Sequence, residues 1–415
     1  MLIVKSLLTE WGLKVALRIR PIFIVLASAL GVSAGCSAKP PQSCSEYSSE
    51  LNKKTYIQKS KNISLQTKKI WRERGGWGGI VADNKGNLII SRSPNGSSIA
   101  TSSDGGETWV KNLRIDKLSR QASTSGGNLI NGGCGIIYYL SPKNKAIYTT
   151  TNGGINWSKR RANILLPNGY QENEELIAAM QPGIRLHQGK MKGRLITPAR
   201  LWGLENNNLP ENRKEHTGLA LYSDNQGETW TSSAMLDQKG IGESGIAELG
   251  DGVLLYNTRE HMTAGGRFSA ASIDQGITWE AMKRVEIPDG PIGSKYGLMG
   301  GLIRLPIKGE DYLIFSNVDS KVISTGTVNS GQSDVRGREN LTLWLSKDGG
   351  KSWTCKYSIH KGGSGYSSLA SGLYKDQAYI YVLYEGRESN SSNWGVYFSR
   401  TSLSAILESK ECSDK

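Results

Sequence analysis

From Trp71 onward the chain is a succession of short apolar runs, each closed by a cluster of Gly, Asp, Asn or Ser. Gly79-Ile80-Val81-Ala82 and Asn87-Leu88-Ile89-Ile90-Ser91 are two such runs, separated by Asp83-Asn84-Lys85-Gly86. Runs this short, bounded by turn residues, predict strands and not helices. The same grammar continues through Cys134–Tyr139, Ala146–Tyr148, Leu219–Tyr222, Ala247–Tyr256, Leu302–Ile303 and Tyr312–Phe315. It ends with Ser367–Ala370, Ala378–Tyr384 and Gly395–Ser399. Tyr170–Met180, with Glu172, Glu174 and Glu175, is the one place where a short helix is expected, and residues 36–60, rich in Ser and Lys, predict a tether with one strand near Tyr56-Ile57.

Between the runs an octet recurs five times. Ser102-Ser103-Asp104-Gly105-Gly106-Glu107-Thr108-Trp109 is the first copy; the others end at Trp157, Trp230, Trp279 and Trp353, and all fit Ser/Thr-x-Asp/Asn-x-Gly-x-Thr/Ser/Asn-Trp. The Asp or Asn accepts hydrogen bonds from the turn's own backbone, Gly supplies a positive φ, and Trp anchors the returning strand. The tryptophans stand 48, 73, 49 and 74 residues apart. The shorter spacing is that of a four-stranded propeller blade, and the longer gaps predict insertions. Five octet blades, a sixth without an octet after Trp353 and a ring-closing strand from the N-terminal side together predict an all-β, six-bladed β-propeller. The expected division is 1–35 signal peptide, 36–70 tether and ring-closing strand, 71–405 propeller and 406–415 C-terminal tail.

Fifty glycines suit many tight turns, while only 12 prolines and 21% charged residues argue against long disordered tracts. Lys5, Lys14, Arg18 and Arg20 precede the apolar run Ile22–Leu30 and the small residues Gly31–Gly35, the pattern of an export signal too short to span a bilayer. Ser33-Ala34-Gly35-Cys36 is open to two readings, lipidation of Cys36 or ordinary cleavage near Ala34. Either places the mature protein outside the cytoplasm as a periplasmic, cell-surface or secreted protein, with a lipid on Cys36 its only membrane attachment. The net charge is +14, falling to +11 once residues 1–35 are set aside with their four cations and Glu10. Lys and Arg are scattered without basic runs or a helical reader motif, so a solvated basic surface or an anionic small substrate is expected, and no nucleic acid. In an oxidising compartment Cys44 and Cys412 are expected to pair where the ring closes. No Cys/His spacing resembles a zinc site and His187, His216, His261 and His360 are not expected to cluster, so no metal or organic cofactor is expected.

The octets resemble the Asp boxes of sialidases, and residues 76–403 are similar to the bacterial and animal exo-sialidase family. The resemblance rests on Gly193–Arg200, Gly242–Leu249 with Asn257-Thr258-Arg259, Arg338–Leu343, Gly365–Ala370 and Val382–Glu385, in the family's order and approximate spacing. It implies hydrolysis of a terminal α-linked sialic or related nonulosonic acid with retention, on sialylated or nonulosonic-acid glycoconjugates as partners, and a monomer is expected. A sialic acid carries a carboxylate on its anomeric carbon, so a carboxylate nucleophile would meet like charge; a neutral Tyr with its proton taken by Glu avoids this. Tyr366 and Glu243 match that pair. Arg259 and Arg338 match two of three carboxylate-binding arginines, since planar bidentate guanidinium suits a carboxylate better than Lys. Glu385 matches the acid that orients the third.

The N-terminal half departs from the family. Its Arg-Ile-Pro is missing, leaving Arg74 as the candidate third arginine; Arg92 resembles another arginine near substrate. An Asp general acid is expected between Arg92 and the first octet, but Ser93–Thr101 contains none. Asp83 falls in a turn. A missing acid costs on the order of 10² to 10⁴ in rate for a poor leaving group. Two rival readings follow: an inactive sialoside-binding propeller, and a non-enzymatic scaffold propeller of the kind that helps assemble photosystem II.

Overall fold

A computed structural model describes residues 50–413 except 74–77, 84, 93–97, 116–125, 169, 171–173, 204–215, 262–265, 289–296, 321–336 and 389–391. The export signal, Cys36, Cys44 and Arg74 lie outside the described residues.

The described strands form five sheets. The first runs antiparallel in chain order through Ile80–Ala82, Leu88–Arg92, Ser98–Ser102 and Val110–Arg114. The second has Asn128–Gly133, Ile136–Ser141, Ala146–Thr150 and Ser158–Arg161; the fourth has Ile241–Glu248, Leu254–Glu260, Gly266–Ser272 and Lys283–Pro288. In the third, Leu195–Gly203 and Thr217–Ser223 are flanked by Glu174–Ala178 and Ile184–Arg185 on one side and Thr229–Ser232 on the other, with Asn163–Leu165 added in parallel. The fifth has seven strands because Cys355–Tyr374, 20 residues long, pairs by its first half with Glu339–Ser346 and by its second with Gln377–Arg387.

The innermost strands touch in rotation, from Ile80–Ala82 to Asn128–Gly133, Leu195–Gly203, Ile241–Glu248, Gly301–Arg304, Cys355–Tyr374 and back to Ile80–Ala82. The molecule is therefore all-β with a propeller-like arrangement of sheets. Gln66–Trp71 completes the seventh-strand edge of the fifth sheet by pairing antiparallel with Gly395–Thr401.

Each octet turn is tied by its own side chains. Asp104 accepts from the Ser102 hydroxyl at 2.7 Å, the Thr108 N–H at 2.8 Å and the Thr108 hydroxyl at 2.5 Å, while Trp109 Nε1 donates to Gly106 O at 3.1 Å. Asp274 and Asp348 repeat the pattern. The glycine matters for a second reason besides its positive φ. A Cβ on Gly106 would lie 2.3 Å from the Phe398 ring, on Gly154 2.7 Å from Thr101, on Gly227 2.8 Å from Ile147, and on Gly276 2.3 Å from Ile196. Every one of these neighbours belongs to the preceding sheet, so the octet turn is also where adjacent sheets dock.

Four expectations are corrected. Tyr56-Ile57 lies in a helix, Lys53–Lys59, whose Asn52 side chain caps Thr55 N at 2.9 Å and which buries Tyr56 in the core with Leu305, Ile307 and Tyr312. Tyr170–Met180 holds no described helix: Glu174–Ala178 is a strand against Ala199–Gly203, with Leu176 and Ala178 buried, while Glu175 pairs with Lys143 at the surface. Cys412 is bonded to Cys355 and not to Cys44. It is brought there by the short helices Leu403–Leu407 and Lys410–Ser413, the first of which buries Leu403 and Ile406. The fourth concerns the histidines and belongs to the site below. No described helix is long and apolar enough to cross a membrane.

Candidate active site

Two irregularities in strand pairing build the centre of the site. On Ile241–Glu248 the register runs from Ile241 opposite Glu260 to Ser244 opposite Thr258, and Glu243 sits in the slip between them. On Cys355–Tyr374 it runs from Ser364 opposite Gly386 to Ser367 opposite Tyr384, and Tyr366 sits in that slip. A bulge bends its strand and re-aims one side chain out of the alternation. Glycines make room beside both: a Cβ on Gly242 would be 1.9 Å from His261 Nε2, and one on Gly365 2.6 Å from the Glu385 carboxylate. Arg338 is fixed next to the second bulge, its carbonyl accepting from Ser364 N at 2.8 Å.

These elements bring Tyr366, Glu243, Arg259 and Arg338 together. Arg259 Nη1 donates to both oxygens of Glu243, at 3.0 Å each, and to the Tyr366 hydroxyl at 3.2 Å. Arg338 and Arg259 hold their guanidinium carbons 5.6 and 5.7 Å from the centre of the Tyr366 ring. Glu243, Arg259 and Arg338 are buried, while Tyr366 keeps part of its surface open to a pocket. That pocket is also lined by Arg92, Glu385, Ser91 and Met299, so two further expected residues stand at the same place. A larger cavity of about 630 Å³, lined by Lys143, Lys145, Arg161 and Glu175, lies on other strands and holds none of these groups.

Burial alone pushes the Glu243 carboxyl up, but Arg259 first and then Arg200 outweigh it and hold the group well below the usual carboxylate range. Tyr366 shows the same contest. Burial raises it, yet Arg259 and Arg338 bring the phenol below its ordinary value. With Arg259 and Arg200 around the Glu243 carboxylate and Arg338 beside Tyr366, the site is poised for an anionic ligand. Its hydroxyl is partly prepared to ionise, and the natural recipient of its proton is the carboxylate sharing the same Arg nitrogen.

Arg92 also has partners of its own beside the pocket, and Asp83 takes a different place. Arg92 is ion-paired with Glu73 at 3.3 Å and lies over the Trp71 ring. Asp83 accepts from Lys85 N, Asn87 N and Asn87 Nδ2, which makes it a turn residue. Arg387, next but one to Glu385, stands over Trp394. Among the described residues no group of three or more His, Cys, Asp and Glu could hold a metal ion.

The fourth correction is that His216 and His261 do cluster, with ring centres 5.9 Å apart, and His261 Nε2 is 3.5 Å from Glu243 Oε2. Arg200 is a further missed member, its Nη1 3.9 Å from the same oxygen. Strand alternation carried the signal. His261 is two residues beyond Arg259, so an extended chain sends both to one face.

The family model described as BNR repeat-like domain matches residues 141–373. The sialidase of Bacteroides fragilis (strain YCH46) is 29% identical over 186 residues, 43% of this chain and 29% of that protein. The sialidase of Micromonospora viridifaciens is 25% identical over 208 residues, 47% of this chain and 27% of that protein. The chain thus spans under a third of the length of these curated relatives. Among solved structures, Hadza microbial sialidase Hz136 has a TM-score of 0.58 at 19% identity, covering 81% of this chain and 67% of that one. The intramolecular trans-sialidase from Ruminococcus gnavus, in complex with oseltamivir carboxylate, has 0.55 at 16%, covering 81% and 95%. At such identities the structural likeness speaks for the fold.

Proposed function

Because this chain belongs to the BNR repeat-like domain family, we propose that it is a retaining exo-glycosidase releasing a terminal α-linked sialic or related nonulosonic acid from glycoconjugates. The observation that carries the reading is the single nitrogen, Arg259 Nη1, that joins Glu243 to Tyr366. In this reading Arg259 and Arg338, with Arg74, bind the substrate carboxylate. Tyr366 Oη attacks the anomeric carbon while its proton passes to Glu243 and the aglycone oxygen leaves with the bond's electron pair. Water then displaces the tyrosine with a second inversion, Glu243 returning its proton to the phenol oxygen while the proton lost by the water neutralises the released aglycone through solvent, so the anomeric configuration is retained. A neutral hydroxyl approaches the carboxylate-bearing carbon without the repulsion a carboxylate nucleophile would meet. Arg92 and Glu385 line the same pocket and are assigned to substrate positioning.

The sixth blade belongs to the same proposal: dividing Cys355–Tyr374 between two blades turns five sheets into six units, in keeping with the six inner strands that touch in rotation. Export belongs to it too, supported by the signal-like first 35 residues and by the Cys355–Cys412 bond, a linkage that persists in oxidising compartments.

A specific observation favours a second reading. Ser93–Thr101 has no Asp to protonate the leaving group, so a sialoside-binding propeller with weak or no turnover stands as the alternative. A fluorogenic sialoside, whose leaving group needs little protonation, separates the two. The wild-type protein is expected to release the fluorophore and Tyr366→Phe to lose at least about 10³-fold in kcat with an unchanged circular dichroism spectrum. Full turnover in Tyr366→Phe removes the nucleophile. Calorimetric binding of a sialoside without any product selects the binding-only reading.

A further inference from the structure

Behind Glu243 lies a layer that the reaction outlined above does not use. His261 presses against the backbone of Gly242, so close that a Cβ there would stand 1.9 Å from Nε2. The His216 ring meets it edge-on at 5.9 Å and stacks on Trp202 at 5.0 Å with 9° between the planes. Trp202 in turn carries the Arg200 guanidinium 4.7 Å above its ring, and Arg200 Nη1 returns to Glu243 Oε2 at 3.9 Å. His261, His216 and Arg200 are all buried. The charged and titratable groups facing His261 are Glu243 from the adjacent strand, Arg259 from its own, and Arg200 with His216 from the neighbouring sheet.

This layer brings an imidazole to 3.5 Å from a carboxylate oxygen, and neither ring nitrogen of His261 has a hydrogen-bond partner among the described residues. A buried donor left unsatisfied costs about 1–3 kcal/mol, so its place here needs a reason. Burial first, then Arg259, pushes the imidazole well below its ordinary value, which leaves it neutral. A neutral ring has one N–H and one lone pair. Only with the proton on Nε2 does it meet Glu243 favourably.

The reason lies in the double duty of Arg259. Its Nη1 serves Glu243 and Tyr366 at once, and a carboxylate ligand competes for the same guanidinium. As that guanidinium shares its charge with the ligand, Glu243 loses part of what holds it so acidic and becomes a better base. It also loses the contact that fixes its direction. Resting on the reading of Glu243 and Tyr366 given above, we propose that His261 is a positioning residue for the base: its Nε2–H closes on Glu243 Oε2 as Arg259 turns toward the ligand carboxylate, keeping the carboxylate aimed at Tyr366. Catalytic hydrogen bonds commonly tighten only with ligand in place.

The full-length protein with ¹⁵N-labelled histidine tests this without turnover. The expected spectrum shows His261 with its proton on Nε2 and no titration between pH 5 and 8, and addition of N-acetylneuraminate moves the Nε2–H resonance downfield. The opposite tautomer, or bound ligand with no movement, overturns the proposal. Kinetics give the second arm. His261→Phe, which keeps the ring's shape without a donor, is expected to lower kcat 10- to 100-fold with KM changed less than about two-fold, and His261→Gln, which restores a donor, to recover most of the loss. Wild-type kcat in folded His261→Phe, or a Gln variant no better than Phe, also overturns it. Unchanged turnover in Tyr366→Phe, or no binding of N-acetylneuraminate to the wild type, instead brings down the reading of the site on which the proposal rests.

Discussion

At the scale of single residues, the molecule uses burial and charge in opposite directions on neighbouring groups. Glu243 and Tyr366 are drawn toward their ionised forms by arginines in spite of burial, whereas His261 and His187 are driven toward their neutral forms by burial and by nearby arginines, Arg259 for one and Arg185 for the other. The histidines have a consequence for stability. His187 is lowered to about 4, so the folded state binds its proton less readily than the unfolded chain, whose imidazole titrates near ~6.5. Its contribution is therefore complete above ~6.5 and lost as pH falls toward 4, with His261 adding in the same direction. Urea denaturation of His187→Gln is expected to show a shallower loss of stability across that window, by about 2 kcal/mol after allowance for partial exposure. An unchanged slope would place the acid sensitivity elsewhere.

At the scale of elements, the octet turn is both a local lock and a docking point. Gly276 has a φ of +90° and points at Ile196 of the preceding sheet. Gly276→Ala therefore adds a backbone penalty to a steric one, and a loss of about 2–4 kcal/mol is expected by denaturant titration. A change at exposed Ile273 in the same turn should cost less than about 0.5 kcal/mol. These turns were legible in the sequence because their chemistry is local: Asp, Gly and Trp at fixed offsets determine the hairpin whatever surrounds them. Tyr366, Glu243, Arg259 and Arg338 were legible through their order along the chain and their likeness to a family. What stayed hidden depended on partners distant in sequence. The helix Lys53–Lys59 is set by an Asn52 cap and by the burial of Tyr56 against residues some 250 positions later. The strand Glu174–Ala178 was masked by glutamates that suit a helix equally well, and only the edge of Leu195–Gly203 decides for a strand. The bulges at Glu243 and Tyr366 are register slips between two strands, which no single run of residues records. The His216–His261 pair joins positions from two sheets.

At the scale of the whole molecule, the five sheets differ in how far along the chain their parts must travel. Four draw on strands that follow one another closely, while the fifth, which carries Tyr366, is completed by Gln66–Trp71 against Gly395–Thr401, with Gln66 bonded to Arg400 across 334 positions. Closing so long a loop is the slow kind of step. In refolding from denaturant, β-sheet circular dichroism is expected to return ahead of fluorogenic sialoside turnover, and coincident recovery would contradict this order. A register slip also has a meaning in time. The bulge that aims Tyr366 is a slip against Gln377–Arg387, so it exists only once those two strands are paired. Under the proposed function, a chain with that pairing unmade would carry Tyr366 without its aim, so turnover would report on the completion of this one sheet.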